Sequence, residues 1–215
     1  MNNWQKLQGN NTMQLRSTTM AELPNNLYKW LKKECWKQKK KNNFFNYDLV
    51  GHIKEEYAIP EWIEEFEDFI VKKSLEGYSR NWYEAFAFNT EDRPIILQNL
   101  WCNFQKKHEF NPPHTHGGVM SFVIFVKIPY DLSEEDKVFP DIKFEDKGNK
   151  STATTSRFMF MNTDFYGIFN EVIDVDKSFE SKLFIFPSKQ YHQVFPFYTS
   201  DDYRITVSGN LKYSV

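Results

Sequence analysis

The chain changes texture near residue 95, and no other feature constrains its fold so strongly. Before that point apolar residues recur at helical spacing. After it, short runs rich in β-branched and aromatic residues follow one another between turn-forming segments. Leu27, Trp30, Leu31 and Cys35 lie on one stripe, preceded by Pro24 and flanked by Lys32, Lys33 and Lys37, which predicts an amphipathic helix over 27–36. Pro60 suits a first helical position, and Trp62, Ile63, Phe66, Phe69 and Ile70 form the stripe of a second helix over 60–73. That aromatic stripe is core material. Strands are expected over 95–104, 119–128, 156–161, 169–175, 183–186, 191–197 and 203–211. Helices first and strands later give an α+β class, with the helices outside a β-sandwich or barrel.

At 215 residues the chain is expected to be a single domain, 1–215, with a mainly helical part over 1–94 and a strand-rich part over 95–215. Lys plus Arg number 27 against 29 Asp plus Glu, so there is no global pull toward nucleic acid or an anionic membrane. No basic groove with a base-stacking platform is evident either, which disfavours a nucleic-acid partner. No apolar run approaches the roughly 18 residues needed to span a bilayer, and residues 1–14 lack the apolar stretch of a signal peptide. A cytoplasmic location is the resulting expectation. Cys35 and Cys102 are too few for a disulfide framework and are expected to stay reduced. The basic run at 37–41 reads as a solvated helix end, and the charged stretch 131–152 as an insertion, either a lid or a poorly ordered segment.

Two of the five histidines, His114 and His116, sit just before the apolar run that begins at Val119. Residues i and i+2 of an extended segment project to one face, so both imidazoles can reach one metal. His192 is a third candidate ligand, remote in sequence as a barrel allows. Beyond it a turn over 198–202 leads to Arg204-Ile205-Thr206. If 191–197 and 203–211 form a hairpin with a five-residue loop, His192 faces Ser208 and Arg204 lies four residues further along the same face. Four residues of strand span roughly 13 Å, which an arginine and a five-carbon dicarboxylate bridge together. The 2-oxo acid 2-oxoglutarate suits this geometry: one end chelates the metal, the other meets Arg204 with Thr206 as a further donor. On this register Phe195, Phe197, Tyr203, Ile205 and Val207 face away, toward the N-terminal helices. Asn103 is a candidate contact to the same cosubstrate. His108 and His52 read as surface or structural residues.

The segments 100–105 through His114-Thr115-His116, and Ile185-Phe186-Pro187-Ser188 through His192 to Arg204-Ile205-Thr206, resemble the 2-oxoglutarate/iron(II) oxygenases of marine phages and bacteria, a group related to prolyl hydroxylases. The likeness covers roughly the last 120 residues, with a weaker match over 49–57. It implies a double-stranded β-helix (a jelly roll, cupin-like), Fe(II), 2-oxoglutarate and O₂, and a hydroxylase acting on an unidentified substrate, with a prolyl or peptide one as the candidate by analogy. His116 departs from the usual pattern, which places an Asp or Glu there to complete a two-histidine, one-carboxylate triad. A neutral ligand leaves the metal centre one unit more positive. Three alternatives stay open from the sequence: binding by His114 and His192 alone, a three-histidine dioxygenase that does not use 2-oxoglutarate, and a non-catalytic sugar- or peptide-binding sandwich.

Overall fold

The computed structural model describes residues 18–46, 49–78, 94–139, 154–164 and 167–214. In chain order the elements are β1 (Thr19–Glu22), α1 (Asn25–Lys41), β2 (Glu56–Ala58), α2 (Glu64–Tyr78), β3 (Ile95–Gln105), β4 (Asn111–His114), β5 (Met120–Lys127), the single-turn α3 (Leu132–Glu135), β6 (Phe158–Asp164), β7 (Gly167–Ile173), β8 (Lys182–Pro187), β9 (His192–Val194) and β10 (Arg204–Tyr213). They form two sheets, a major one in the order β1-β8-β5-β10-β3-β2 and a minor one in the order β4-β9-β6-β7. Every pairing is antiparallel. From β3 to β10 the strands alternate between the sheets, save for the β6–β7 hairpin within the minor one, as in a double-stranded β-helix, with helices outside. The class is α+β with a β-dominant core.

Both helices form where the apolar stripes predict, with different ends. α1 runs on through Lys39, Lys40 and Lys41, whose charges favour the negative end of the helix dipole, and Asn42 closes it in the left-handed conformation at φ 54°. α2 begins at Glu64, where Glu64, Glu65 and Glu67 suit the positive end. Their buried faces, including Leu27, Leu31, Phe66 and Ile70, pack on one face of the major sheet against Cys102, Phe104, Phe122, Ile124, Leu183, Ile205 and Val207. Cys35 and Cys102 are both free thiols buried in this layer. Burial, helped by the neighbouring Cys102 and the Glu34 carboxylate, drives the Cys35 thiol well above its ordinary pKa and keeps it inert. Among the described residues no helix is long and apolar enough to cross a membrane.

The other face of the major sheet meets the minor sheet. Here Val123, Phe125, Phe158, Phe160, Phe184, Phe186 and Phe197 make a second, aromatic core. β5 and β8 are apolar at nearly every position because each has a core on both sides. Gly209 of β10 is required by packing, since a Cβ there would lie 2.5 Å from the Phe122 ring and 2.7 Å from the Asn99 carbonyl.

Two expectations change and one is refined. The segment before residue 95, expected to be mainly helical, also carries two short strands: β1 and β2 extend the major sheet at its two edges. β9 and β10 are not a hairpin. β9 pairs with β4 and β6, whereas Ser208 faces Trp101 and Val123. The chain leaves β9 at Val194, where Phe195 N–H donates to the Arg157 carbonyl and Ser156 N–H to that of Pro196, so residues 195–203 cross from one sheet to the other. That crossing also turns Phe197 into the aromatic core between the sheets, away from the helices. Tyr203, Ile205 and Val207 do face the helices. The insertion is described only to residue 139; its remainder lies outside the described residues, as do residues 1–14.

Candidate metal centre

β4 contains Pro112 and Pro113, which cannot donate to a ladder and are tolerated because β4 is a sheet edge. Its pairing with β9 slips between Asn111 and His114, and the slip sets His114 directly opposite His192. His116 follows two residues later, its N–H bonded to the Ser188 carbonyl at 2.7 Å. The chain then turns through Gly117 and Gly118 into the other sheet. Gly118 has φ +80°, and a Cβ would sit 2.4 Å from the Leu211 carbonyl oxygen, so only glycine fits.

One ligand nitrogen each from His114, His116 and His192 lie within 4.8 Å of one another. The Nε2 atoms of His116 and His192 are 3.2 Å apart. Nδ1 of His114 lies 2.7 Å from the Pro112 carbonyl and Nδ1 of His192 lies 3.0 Å from that of Gln190. A carbonyl only accepts, so each Nδ1 carries the proton and each Nε2 lone pair points inward. His116 has no such carbonyl among the described residues. Burial is the main cause that lowers all three pKa values, with His116 pushed down to about 3 and His192, stacked on Phe158, held well below its ordinary value. Neutral imidazoles converging on one point fit a divalent metal of the borderline kind.

The histidines open into a cavity of about 300 Å³ between the sheets, small but within the range of ligand sites. Arg204, Thr206, Ser208 and Asn210 line its major-sheet wall, as the alternation of β10 predicts. Arg204 is only 2% exposed. Its five N–H groups donate to Gln105 Oε1 (twice), Tyr130 Oη, and the Ser156 and Phe195 carbonyls, at 2.6–3.0 Å. Every one of these partners is neutral. The cation is buried without a counter-ion among them, so the cavity wall favours an anion. Asn103 Nδ2 donates to Thr206 Oγ1 at 3.0 Å, which leaves the Thr206 hydroxyl proton free to donate elsewhere. A dicarboxylate fits this wall. Sheets pack about 10 Å apart, so Arg204 and the histidines are brought face to face across the cavity instead of along one hairpin.

His108 is exposed with φ 70°, its ring against Tyr198, and His52 is exposed against Phe110. Neither lines the cavity. Sequence reasoning missed Gln105 and Tyr130, which hold Arg204, and Glu56 and Asn111, which line the cavity. Gln105 is separable in principle, because it ends the polar alternation Trp101, Asn103, Gln105 on β3; Tyr130 carries no comparable signal.

A family model described as "Putative 2OG-Fe(II) oxygenase" matches residues 99–210. Among solved structures, a Pseudomonas putida prolyl-4-hydroxylase superposes with TM-score 0.54 at 12% identity, covering 94% of this chain and 95% of that one. A prolyl hydroxylase from Trichoplax adhaerens, solved with a hypoxia inducible factor peptide fragment, gives TM-score 0.46 at 10% identity over 93% and 84%. IDO from Bacillus thuringiensis gives 0.44 at 10% identity over 91% of each chain. No curated protein matches. The first of these likenesses establishes a common fold.

Proposed function

The chain belongs to the 2OG-Fe(II) oxygenase family, whose members use Fe(II) and 2-oxoglutarate, and from that premise we propose that residues 1–215 act as one hydroxylase domain. In this reading His114, His116 and His192 hold Fe(II), and Arg204 with Thr206 holds 2-oxoglutarate. The observation that carries it is the meeting, in one cavity, of three inward ligand nitrogens and a buried arginine whose partners are all neutral.

Bound Fe(II) supplies the oxygen chemistry: one atom of O₂ enters a substrate C–H bond to give an alcohol, and the other enters 2-oxoglutarate, which leaves as succinate and CO₂. The chain does the rest. The Pro112 and Gln190 carbonyls hold the His114 and His192 rings in the metal-binding tautomer. Arg204, whose N–H groups are all held by neutral protein acceptors, supplies the positive charge for the distal carboxylate of the cosubstrate and exchanges one of those acceptors for it, and the Thr206 hydroxyl, fixed by Asn103, donates to it. Asn103 thus acts through Thr206. Phe125, Phe158 and Phe186 wall the cavity and exclude water. A prolyl or peptide substrate is the working candidate through family kinship.

Anaerobic reconstitution with Fe(II) and 2-oxoglutarate tests the proposal. A weak visible charge-transfer band should appear, and admission of O₂ should yield succinate. His116, standing where an acid is usual, favours one second reading, a three-histidine dioxygenase without 2-oxoglutarate. That reading expects O₂ uptake with no succinate.

A further inference from the structure

β2 lies outside the residues matched by the family model, yet it contributes a side chain to the cavity. Glu56 on β2 pairs with Asn103 on β3, and Asn103 pairs with Thr206 on β10. The three side chains therefore form one transverse row across the major sheet. Adjacent strands are about 4.8 Å apart, so the row carries the cavity wall roughly 10 Å from the cosubstrate contact at Thr206 to Glu56.

Glu56 is 1% exposed. Its Oε2 accepts from Asn46 Nδ2 at 3.2 Å, and its own N–H donates to Asn46 Oδ1. Among the described residues no further hydrogen bond reaches Oε1 and no cation pairs with this carboxyl. Two acceptors beside it are orphaned. Asn103 Oδ1, on a side chain 4% exposed, and Asn111 Oδ1 are buried with no donor. A Cβ on Gly51 would lie 2.1 Å from Asn111 Oδ1 and 3.4 Å from Glu56 Oε1, so the Asn111 amide packs directly against the Gly51 backbone with the Glu56 carboxyl beside it, an approach that only glycine allows. The aromatic walls of this end are Phe45 and Trp101, with ring centroids 5.9 Å apart.

A buried carboxyl, unpaired amide oxygens and aromatic faces together suit a ligand rich in N–H donors and positively charged. The cavity thus has a buried cation lacking an anion at Arg204 and a buried carboxyl lacking a cation at Glu56. We propose that Glu56, with Asn111 and Asn103, is the substrate-recognition site, and that the substrate it selects carries a protonated amine. This deepens the oxygenase reading and rests on it for the word substrate. Burial and the charge of Glu109 raise the Glu56 pKa to about 8 in the empty cavity, so a bound ammonium replaces the missing counter-ion and draws the carboxyl into its ionised form.

The test uses pyrrolidinium and its uncharged counterpart tetrahydrofuran, titrated at pH 7.5 by ligand-observed NMR. Both the metal-free protein and the protein loaded anaerobically with Fe(II) and 2-oxoglutarate are used. Wild type should prefer pyrrolidinium, and Glu56→Gln should weaken it roughly ten-fold or more while tetrahydrofuran binds both alike. Gly51→Ala, whose Cβ would displace the Asn111 amide from its place beside Glu56, should weaken pyrrolidinium with the carboxyl intact. Thermal melting checks that each variant is folded. No saturable pyrrolidinium binding to wild type, equal affinity for the two probes, or unchanged pyrrolidinium affinity in Glu56→Gln overturns the proposal. Absence of the charge-transfer band instead overturns the oxygenase reading, and the metal-free titration then decides the amine site by itself.

Discussion

The two sheets divide the work of the molecule unequally. The major sheet has six strands and buries one whole face under α1 and α2; the minor sheet has four, ends in the proline-bearing β4, and carries His114 and His192. Side chains in the helix-covered layer interlock as a continuous apolar core, so their loss is felt as stability. Those facing the cavity keep unpaired lone pairs and uncompensated charges, which weaken the apo fold and await ligands. The proposed metal ligands His114 and His192 sit on the thin sheet together with Asn111, while Arg204, Thr206, Asn103 and Glu56 sit on the thick one.

Substitutions on the two sheets should therefore fail in different ways. His192→Ala should reduce Fe(II) binding and turnover by about two orders of magnitude or more, since losing even a partner of a ligand costs 10- to 100-fold; metal titration followed by succinate assay measures it. If turnover survives, the minor sheet does not hold the metal. Arg204→Ala should raise the 2-oxoglutarate KM by roughly 30-fold or more and leave metal binding nearly intact. It should also lower stability by about 3 kcal/mol, because four acceptor groups lose their donor. Unchanged cosubstrate dependence would remove Arg204 from the site.

Leu31→Ala, 0% exposed in the helix-covered layer, should cost about 2–5 kcal/mol in denaturant unfolding and leave the metal site's affinity unchanged in the folded fraction. A loss of metal affinity there would show that the two regions are coupled.

A further contrast is a pH dependence. With the Glu56 pKa raised from 4.5 to about 8 by burial and by Glu109, the folded protein keeps a proton that the unfolded chain releases. Its stabilising contribution is complete below about pH 4.5 and disappears as pH rises through 8. The stability of Glu56→Gln should fall less than that of wild type across this window, and parallel curves would argue that Glu56 is solvated.

Much of this division is legible in the sequence. The stripe of Leu27, Leu31 and Cys35 marks a helix because helical periodicity is local, and the alternation of Arg204, Thr206 and Ser208 against Ile205 and Val207 assigns both faces of β10 before its partners are known. β4 was hidden because Asn111-Pro112-Pro113-His114 has the composition of a loop, and it becomes a strand only where β9 supplies donors. Glu56 was hidden because a carboxylate on a three-residue strand has no periodicity to betray burial.

By itself the sequence determined the α+β class, the two helices, most of the barrel strands, and His114, His116, His192, Arg204 and Thr206 as the residues to watch. These follow from spacing along the chain, which backbone geometry converts directly into faces. Only the tertiary structure decided that β9 and β10 lie in different sheets, that Arg204 meets the histidines across the cavity, and that Asn103 serves Thr206 and borders Glu56. Such relations depend on which distant strands pair, and pairing is set by the burial of whole faces that no local segment specifies.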